Sequence, residues 1–170
     1  MTKWHAGVRQ TVQKQRKPLL MQKATSIREK QLAEFNAEEK DLLESISALK
    51  AAITVLSKHQ GGAFLQLPSS HILGVAATIQ HEMQKHAALL QGVITPSQRR
   101  AAASFVQAPQ DYFDAKPTFK QSYAPQSGEI FGILTQMLET FEANLSQSQK
   151  EEMANQKAYE DLKAAKEEEI

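Results

Sequence analysis

The 170-residue chain has no cysteine, which removes disulfides, zinc–thiolate sites and thiol nucleophiles from consideration. It has no apolar run near the roughly 18–20 residues of a membrane-spanning helix, so no transmembrane segment is expected. With 20 Lys and Arg against 19 Asp and Glu, it lacks the basic excess of general nucleic-acid binders, and no nucleic-acid partner is expected. The N-terminal MTKWHAGVRQTVQKQRKPLLMQ is basic but has no continuous apolar h-region, so no targeting segment is visible.

Catalytic signatures are also missing. Gly61-Gly62 lacks the following Gly-Lys-Ser/Thr of a phosphate loop and comes after a helical pattern rather than before one. No Gly-x-Ser-x-Gly elbow occurs. His81 and His86 bracket Glu82 in a stretch that resembles a zinc-protease helix. That motif needs histidines four apart, so that both face one metal; here they are five apart and diverge. No Glu-x-x-His of the di-iron bundles occurs. His5, His59 and His71 are isolated. The expectation is a non-enzyme with no catalytic residue, cofactor or metal. Glu38, Glu39 and Asp41, and Glu167, Glu168 and Glu169, form small acidic patches without the spacing of a dedicated calcium loop.

What the chain does have is helical periodicity and uneven charge. Residues 1–30 carry eight basic groups and one acid, whereas residues 150–170 carry four lysines and seven acids. A basic head and an acidic tail suit head-to-tail or antiparallel contacts between copies, or docking on an anionic surface; the plainer alternative is two solvated faces. Residues 2–15 predict a short helix with Trp4, Val8 and Val12 on one face, stopped or re-aimed by Pro18.

The strongest signal runs from residue 25 to 58. Thr25 and Ser26 are candidate N-caps. Leu32, Phe35, Glu39, Leu42, Ile46, Leu49, Ile53 and Leu56 then step by alternating threes and fours, a heptad seam on a helix roughly 50 Å long. Leu43, Ala51, Ala52 and Val55 widen the stripe as a bundle of three or four helices requires. Glu39 is either a registry device paired with a cation or an edge position reaching water, the simpler reading. Gly61-Gly62 ends the helix. A further helix from Pro68 to about Gln91 turns Ile72, Val75, Ala76, Ile79, Met83, Ala87 and Leu90 inward, and Gly92 closes it. Thr95-Pro96-Ser97-Gln98 reads as a cap with proline at the first helical position, starting a short helix to about Phe105.

Residues 105–126 change character, with prolines at 109, 117 and 125 and the rings Phe105, Tyr112, Phe113, Phe119 and Tyr123. Disordered linkers are aromatic-poor, so this stretch reads as an extended strap anchored by its rings. The last helix runs from about Ser127 to the end. Its first half is amphipathic through Ile130, Ile133, Leu134, Met137, Phe141 and Leu145. Its second half keeps the phase with Ser148, Glu152, Asn155, Tyr159, Leu162 and Lys166. It is too polar to pack as a core alone, and is expected to project or to pair with another chain. The chain stops in mid-pattern at KAAKEEEI, which reads as a processed product or fragment.

The fold expected is therefore all-α: an elongated antiparallel helical bundle or coiled coil with two long helices, shorter helices and an extended proline- and aromatic-rich strap. Its parts are a basic segment (1–20), a helical hairpin (21–104), the strap (105–126) and a long C-terminal helix (127–170). The expected interaction residues are Trp4, Phe105, Tyr112, Phe113, Phe119, Tyr123, Tyr159 and Leu162.

Two blocks, EFNAEEKDLLESISALKAAITVLSKHQGGAFLQ and SGEIFGILTQMLETFEANLSQSQKEEMANQKAYEDLKAAKEEEI, resemble the helical proteins expanded in alveolates, especially dinoflagellates, and are similar to trichocyst matrix proteins. The shared features are a long helix ending in a Gly-Gly-Ala-Phe-Leu-Gln-like turn and a second helix starting Gly-Glu-Ile-Phe-Gly-Ile-Leu. The resemblance covers a little under half the chain. It implies a processed structural protein packed laterally in a secretory-granule matrix, with calcium controlling expansion. The expected function is structural assembly with protein partners, other copies or other chains. The alternative is an accessory subunit strapped onto a large organellar membrane complex, for example a photosynthetic one in a plastid, with peripheral membrane contact.

Overall fold

The computed structural model describes residues 2–60, 68–109 and 126–168, apart from the side chains of 2–15, 59–60 and 126–127. Among the described residues the protein is all-α and has no strand: α1 (Thr2–Gln60), α2 (Ser69–Lys85), α3 (Pro96–Gln107) and α4 (Gln126–Glu168). None of these helices is long and apolar enough to cross a membrane. The chain forms two compact units. Unit 1 is Met1–Lys40 with Ser146–Ile170, and unit 2 is Asp41–Leu145.

α1 corrects two expectations. It passes through Pro18 without ending, and Thr25 and Ser26 lie inside it rather than at its start. An interior proline removes one hydrogen bond and disfavours the helix by about 3 kcal/mol. Pro18 is exposed, so the freed carbonyl one turn back falls on a solvated side, and the helix formers on both sides outweigh the loss. Thr25 is then free to use its hydroxyl elsewhere. α1 is described to Gln60; Gly61-Gly62, expected to end it, lie outside the described residues.

Unit 2 has a single apolar core to which all four helices contribute. α1 supplies Leu42, Ile46, Leu49, Ala52 and Leu56, and α2 supplies Ile72, Val75, Ala76 and Ile79. Ala102 and Phe105 come from α3, and Ile130, Ile133, Leu134, Met137 and Phe141 from α4. The heptad seam thus packs inward from Leu42 to Leu56, whereas Leu32 is exposed and Phe35 half-buried. The stripe widens partly as expected: Ala52 is buried and Val55 packs against the core, but Leu43 is half exposed and Ala51 exposed, and Ser45 is buried in their place. Each large side chain buried here contributes roughly 1.5–3 kcal/mol.

α2 stops at Lys85, six residues short of the expected Gln91. His86 leaves helical geometry, yet its N–H still reaches the Glu82 carbonyl. The turn that follows lets both Leu90 and Ile94 enter the core, where a continued helix would have turned Ala87 inward; Ala87 is exposed. Gly92 has φ of 81°, a left-handed value that a side chain would strain. The Thr95 cap is as expected. Its hydroxyl accepts from the Gln98 N–H at 3.2 Å, and the Gln98 side chain accepts from the Thr95 N–H at 2.9 Å. Gln98 also donates to Gln136 at 3.0 Å, and Gln136 donates to the Val93 carbonyl at 2.9 Å. The capped end of α3 is thereby tied to α4.

Unit 1 is built differently. Every member of the buried apolar cluster belongs to unit 2; among the described residues of unit 1 only Arg28 is buried. Residues 146–168 of α4 were expected to project or to pair with another chain; that expectation is corrected. This stretch contacts α1 of the same chain through Arg28, Thr25 and Glu39.

Candidate functional site

Two polar clusters concentrate the chemistry of the described residues. The first lies in unit 2, where α1, α2 and α4 meet. The Ser45 hydroxyl shares a 2.9 Å hydrogen bond with His86 Nε2, the ring tautomer setting which atom donates. Asp41 Oδ2 lies 3.5 Å and Glu82 Oε2 3.6 Å from the same nitrogen. Phe141 meets the imidazole edge to face, with centroids 4.6 Å apart. Lys85 forms an ion pair with the other Asp41 oxygen. Asp41 holds the lysine above its ordinary pKa, chiefly by that hydrogen bond, with partial desolvation opposing.

Burial pushes the His86 pKa below its usual value, against the opposing pull of Asp41 and Glu82. The neutral ring is therefore favoured in the folded protein. Glu82 is itself buried, and its Oε2 has no hydrogen-bond partner among the described residues. This is a carboxylate placed where sequence periodicity suggested only an apolar face.

A serine, a histidine and an acid invite a catalytic reading, but the geometry is not that of a nucleophilic triad. A triad places the acid on the ring nitrogen opposite the serine. Here the serine and both carboxylates approach one nitrogen, Nε2, and Ser45 is fully buried. Among the described residues no group of three or more His, Asp or Glu is arranged to hold a metal ion. His81, the other histidine of the zinc-like stretch, is exposed while His86 is buried, as their five-residue spacing implies. The cluster acts as a polar clasp between helices.

The second cluster fastens unit 1. The Arg28 guanidinium donates to both carboxylate oxygens of Glu152, through Nη1 at 3.2 Å and through a shorter Nη2 contact. It also donates to Gln156 Oε1 from Nε at 3.1 Å and Nη2 at 2.9 Å. The two-pronged geometry is what a planar guanidinium supplies and an ammonium does not. Thr25 Oγ1 and Tyr159 Oη share a 2.8 Å hydrogen bond, and Gln149 donates to Glu39 at 2.8 Å. Glu39 is half-buried, so it is an edge seam position satisfied by an amide. Beside these contacts a groove of about 200 Å³ is lined by Phe35 and the carboxylates of Glu34, Glu38, Glu151 and Glu152, among others.

The expected interaction residues divide sharply. Phe105, expected as the first ring of the strap, belongs to α3 and is fully buried in the core of unit 2; the helix simply runs two residues further. Tyr159 is half-buried and bonded to Thr25, so its hydroxyl is engaged within the chain, and Leu162 is 45% exposed. Tyr112, Phe113, Phe119, Tyr123 and the Trp4 side chain lie outside the described residues, as does most of the expected strap.

Sequence reasoning missed Arg28, Ser45 and Glu82. A signal for Arg28 was present. Continuing the three-four steps backward from Leu32 gives positions 28, 25 and 21, and Arg28 is buried with Thr25 and Met21 half-buried. For Glu82 the signal was of the same kind, since it lies seven residues after Val75 and three after Ile79, both buried. No protein-family model, curated protein or solved structure matches the chain.

Proposed function

We propose that this chain is a non-enzymatic assembly protein whose long helices pack with other copies or other chains, as in the matrix of a secretory granule. The observation that carries the reading is the apolar deficit of unit 1. Its described residues bury no large apolar side chain, yet Leu19, Leu20, Ile27, Leu32, Met153 and Leu162 are exposed, Met153 at 74%. A pair of helices joined mainly by polar contacts gains little from hydrophobic burial. Such a pair is stabilised when further helices cover it, as in a bundle.

The order of contacts supports an antiparallel coiled-coil-like pair: residue 39 meets 149, 28 meets 152 and 156, and 25 meets 159. The resemblance of the two helical blocks to trichocyst matrix proteins is consistent with the same role. Sedimentation velocity over a wide concentration range tests it. Species larger than the monomer should grow with concentration, and a compact monomer unchanged across that range would sink the proposal.

A further inference from the structure

Unit 1 turns two exposed helix faces away from the polar seam that joins α1 to α4. On α1, Arg16, Leu19, Leu20, Lys23, Ile27 and Lys30 are exposed and fall within an arc of about 100°, each residue advancing the helix by about 100°. That arc is roughly opposite Thr25 and Arg28, which bond to α4. On α4, the side roughly opposite Glu152, Gln156 and Tyr159 carries Ala154, Ala158, Asp161, Ala165 and Glu168, all exposed. The two faces match in spacing and differ in sign and size. Arg16 and Lys23 recur at a heptad interval with Leu19 and Leu20 between them; Asp161 and Glu168 recur at the same interval with Ala164 and Ala165 between them.

We propose that these two faces bind each other between copies, the α1 face of one chain lying antiparallel on the α4 face of a second. The inference rests on the assembly reading and adds the partner, the two faces and their register. With Arg16 level with Glu168 of the other copy, Lys23 comes level with Asp161. Leu19 and Leu20 then lie over Ala164 and Ala165, and Ile27 lies beside Ala158 and the stem of Lys157. Lys30 falls opposite Ala154 and stays with Glu34 of its own helix, 3.7 Å away, while Glu34 comes level with Lys150. No cation stands directly opposite a cation. A shift of one heptad in one direction loses a charge pair, and in the other carries Leu19 and Leu20 past Glu168. A parallel copy that keeps both pairs carries Ile27 past it instead. Alanines facing leucines let two helices approach closely. Because different faces meet, the contact is heterologous, and each copy still offers one open face to the next.

The test uses the full chain in two forms, Arg16→Glu with Lys23→Glu, and Asp161→Lys with Glu168→Lys, with helicity checked by circular dichroism. Sedimentation equilibrium at low salt, where exposed charges are least screened, should show each form alone associating about 10-fold more weakly than wild type, because two exposed pairs are reversed at each contact. An equimolar mixture of the two should regain association, an outcome that a folding defect does not produce. The chain has no cysteine, so engineered thiols read the register: a chain with Ile27→Cys mixed with one carrying Ala158→Cys should oxidise to the mixed disulfide in preference to either homodimer. Wild-type oligomers indifferent to both charge forms, a mixture that fails to recover, or an absent mixed disulfide overturns this interface and leaves the assembly reading standing. A wild-type chain that stays monomeric overturns both.

Discussion

Units 1 and 2 draw on the same two long helices and the same alternation of three- and four-residue steps, but the seam chemistry differs. In unit 2 the α1 seam reads Leu42, Ile46, Leu49, Ile53 and Leu56, all buried except the half-buried Ile53. In unit 1 it reads Met21, Thr25, Arg28, Leu32, Phe35 and Glu39, and only the arginine is buried. α4 divides likewise, from Ile130, Leu134, Met137 and Phe141 to Ser148, Glu152 and Tyr159. Periodicity decides which side of a helix faces inward; side-chain chemistry decides how much free energy follows. Unit 2 is held by area removed from water, unit 1 by a few directional polar bonds, which are modest in net terms but expensive to leave half made.

The largest expected effect tests that contrast directly. Phe141→Ala should destabilise unit 2 by about 3–5 kcal/mol, whereas Met153→Ala, at an exposed position of unit 1, should stay within about 0.5 kcal/mol. Denaturant melts of the two variants check this, and similar losses would break the comparison. Next in size is Arg28→Ala, which strands Glu152 and should weaken unit 1 by about 2–3 kcal/mol. Hydrogen exchange should show the loss in residues 146–168 and leave the unit 2 core unchanged. Replacing Arg28 and Glu152 together by leucine should recover most of it, because no unpaired charge then remains. Thr95→Ala should remove about 1 kcal/mol by uncapping α3, read as a lower midpoint in the same melts.

The smallest effect is a pH dependence confined to unit 2. The His86 pKa is lowered on folding, so the unfolded chain binds more protons as pH falls below the ordinary histidine value near 6.5. The stability that His86 contributes is therefore present above that value and is lost as pH falls from it toward the folded pKa. His86→Gln should flatten this part of the profile. An unchanged thermal midpoint in the wild-type protein between neutral and mildly acidic pH would remove histidine titration from the account of unit 2.

Much of the fold was legible in the residues. Leu42 through Leu56, Ile72 through Ile79 and Ile130 through Phe141 could be assigned to inward faces because an apolar side chain at helical spacing has one favourable destination. The Thr95 cap was legible because its hydrogen bonds span only three residues. The passage of α1 through Pro18 was not, since local propensity argues for a break and only the balance over the whole helix decides otherwise. Arg28, Ser45 and Glu82 were equally hidden as polar contacts, because a polar residue reads as solvent-facing until its partner is known. The partners of Arg28 and Ser45 lie 124 and 41 residues away.

What the residues alone determined is the all-helical class, the Thr95 cap and the apolar face of unit 2. All of these follow from interactions within a few turns or from burial of area, which needs no particular partner. What only the tertiary structure decided is the use of polar groups: which carboxylate Arg28 grips, why α2 stops so that His86 can meet Ser45, and why Glu82 is buried. Hydrogen bonds and ion pairs depend on distances of a few tenths of an ångström, and those distances exist only once helices far apart in the chain have met.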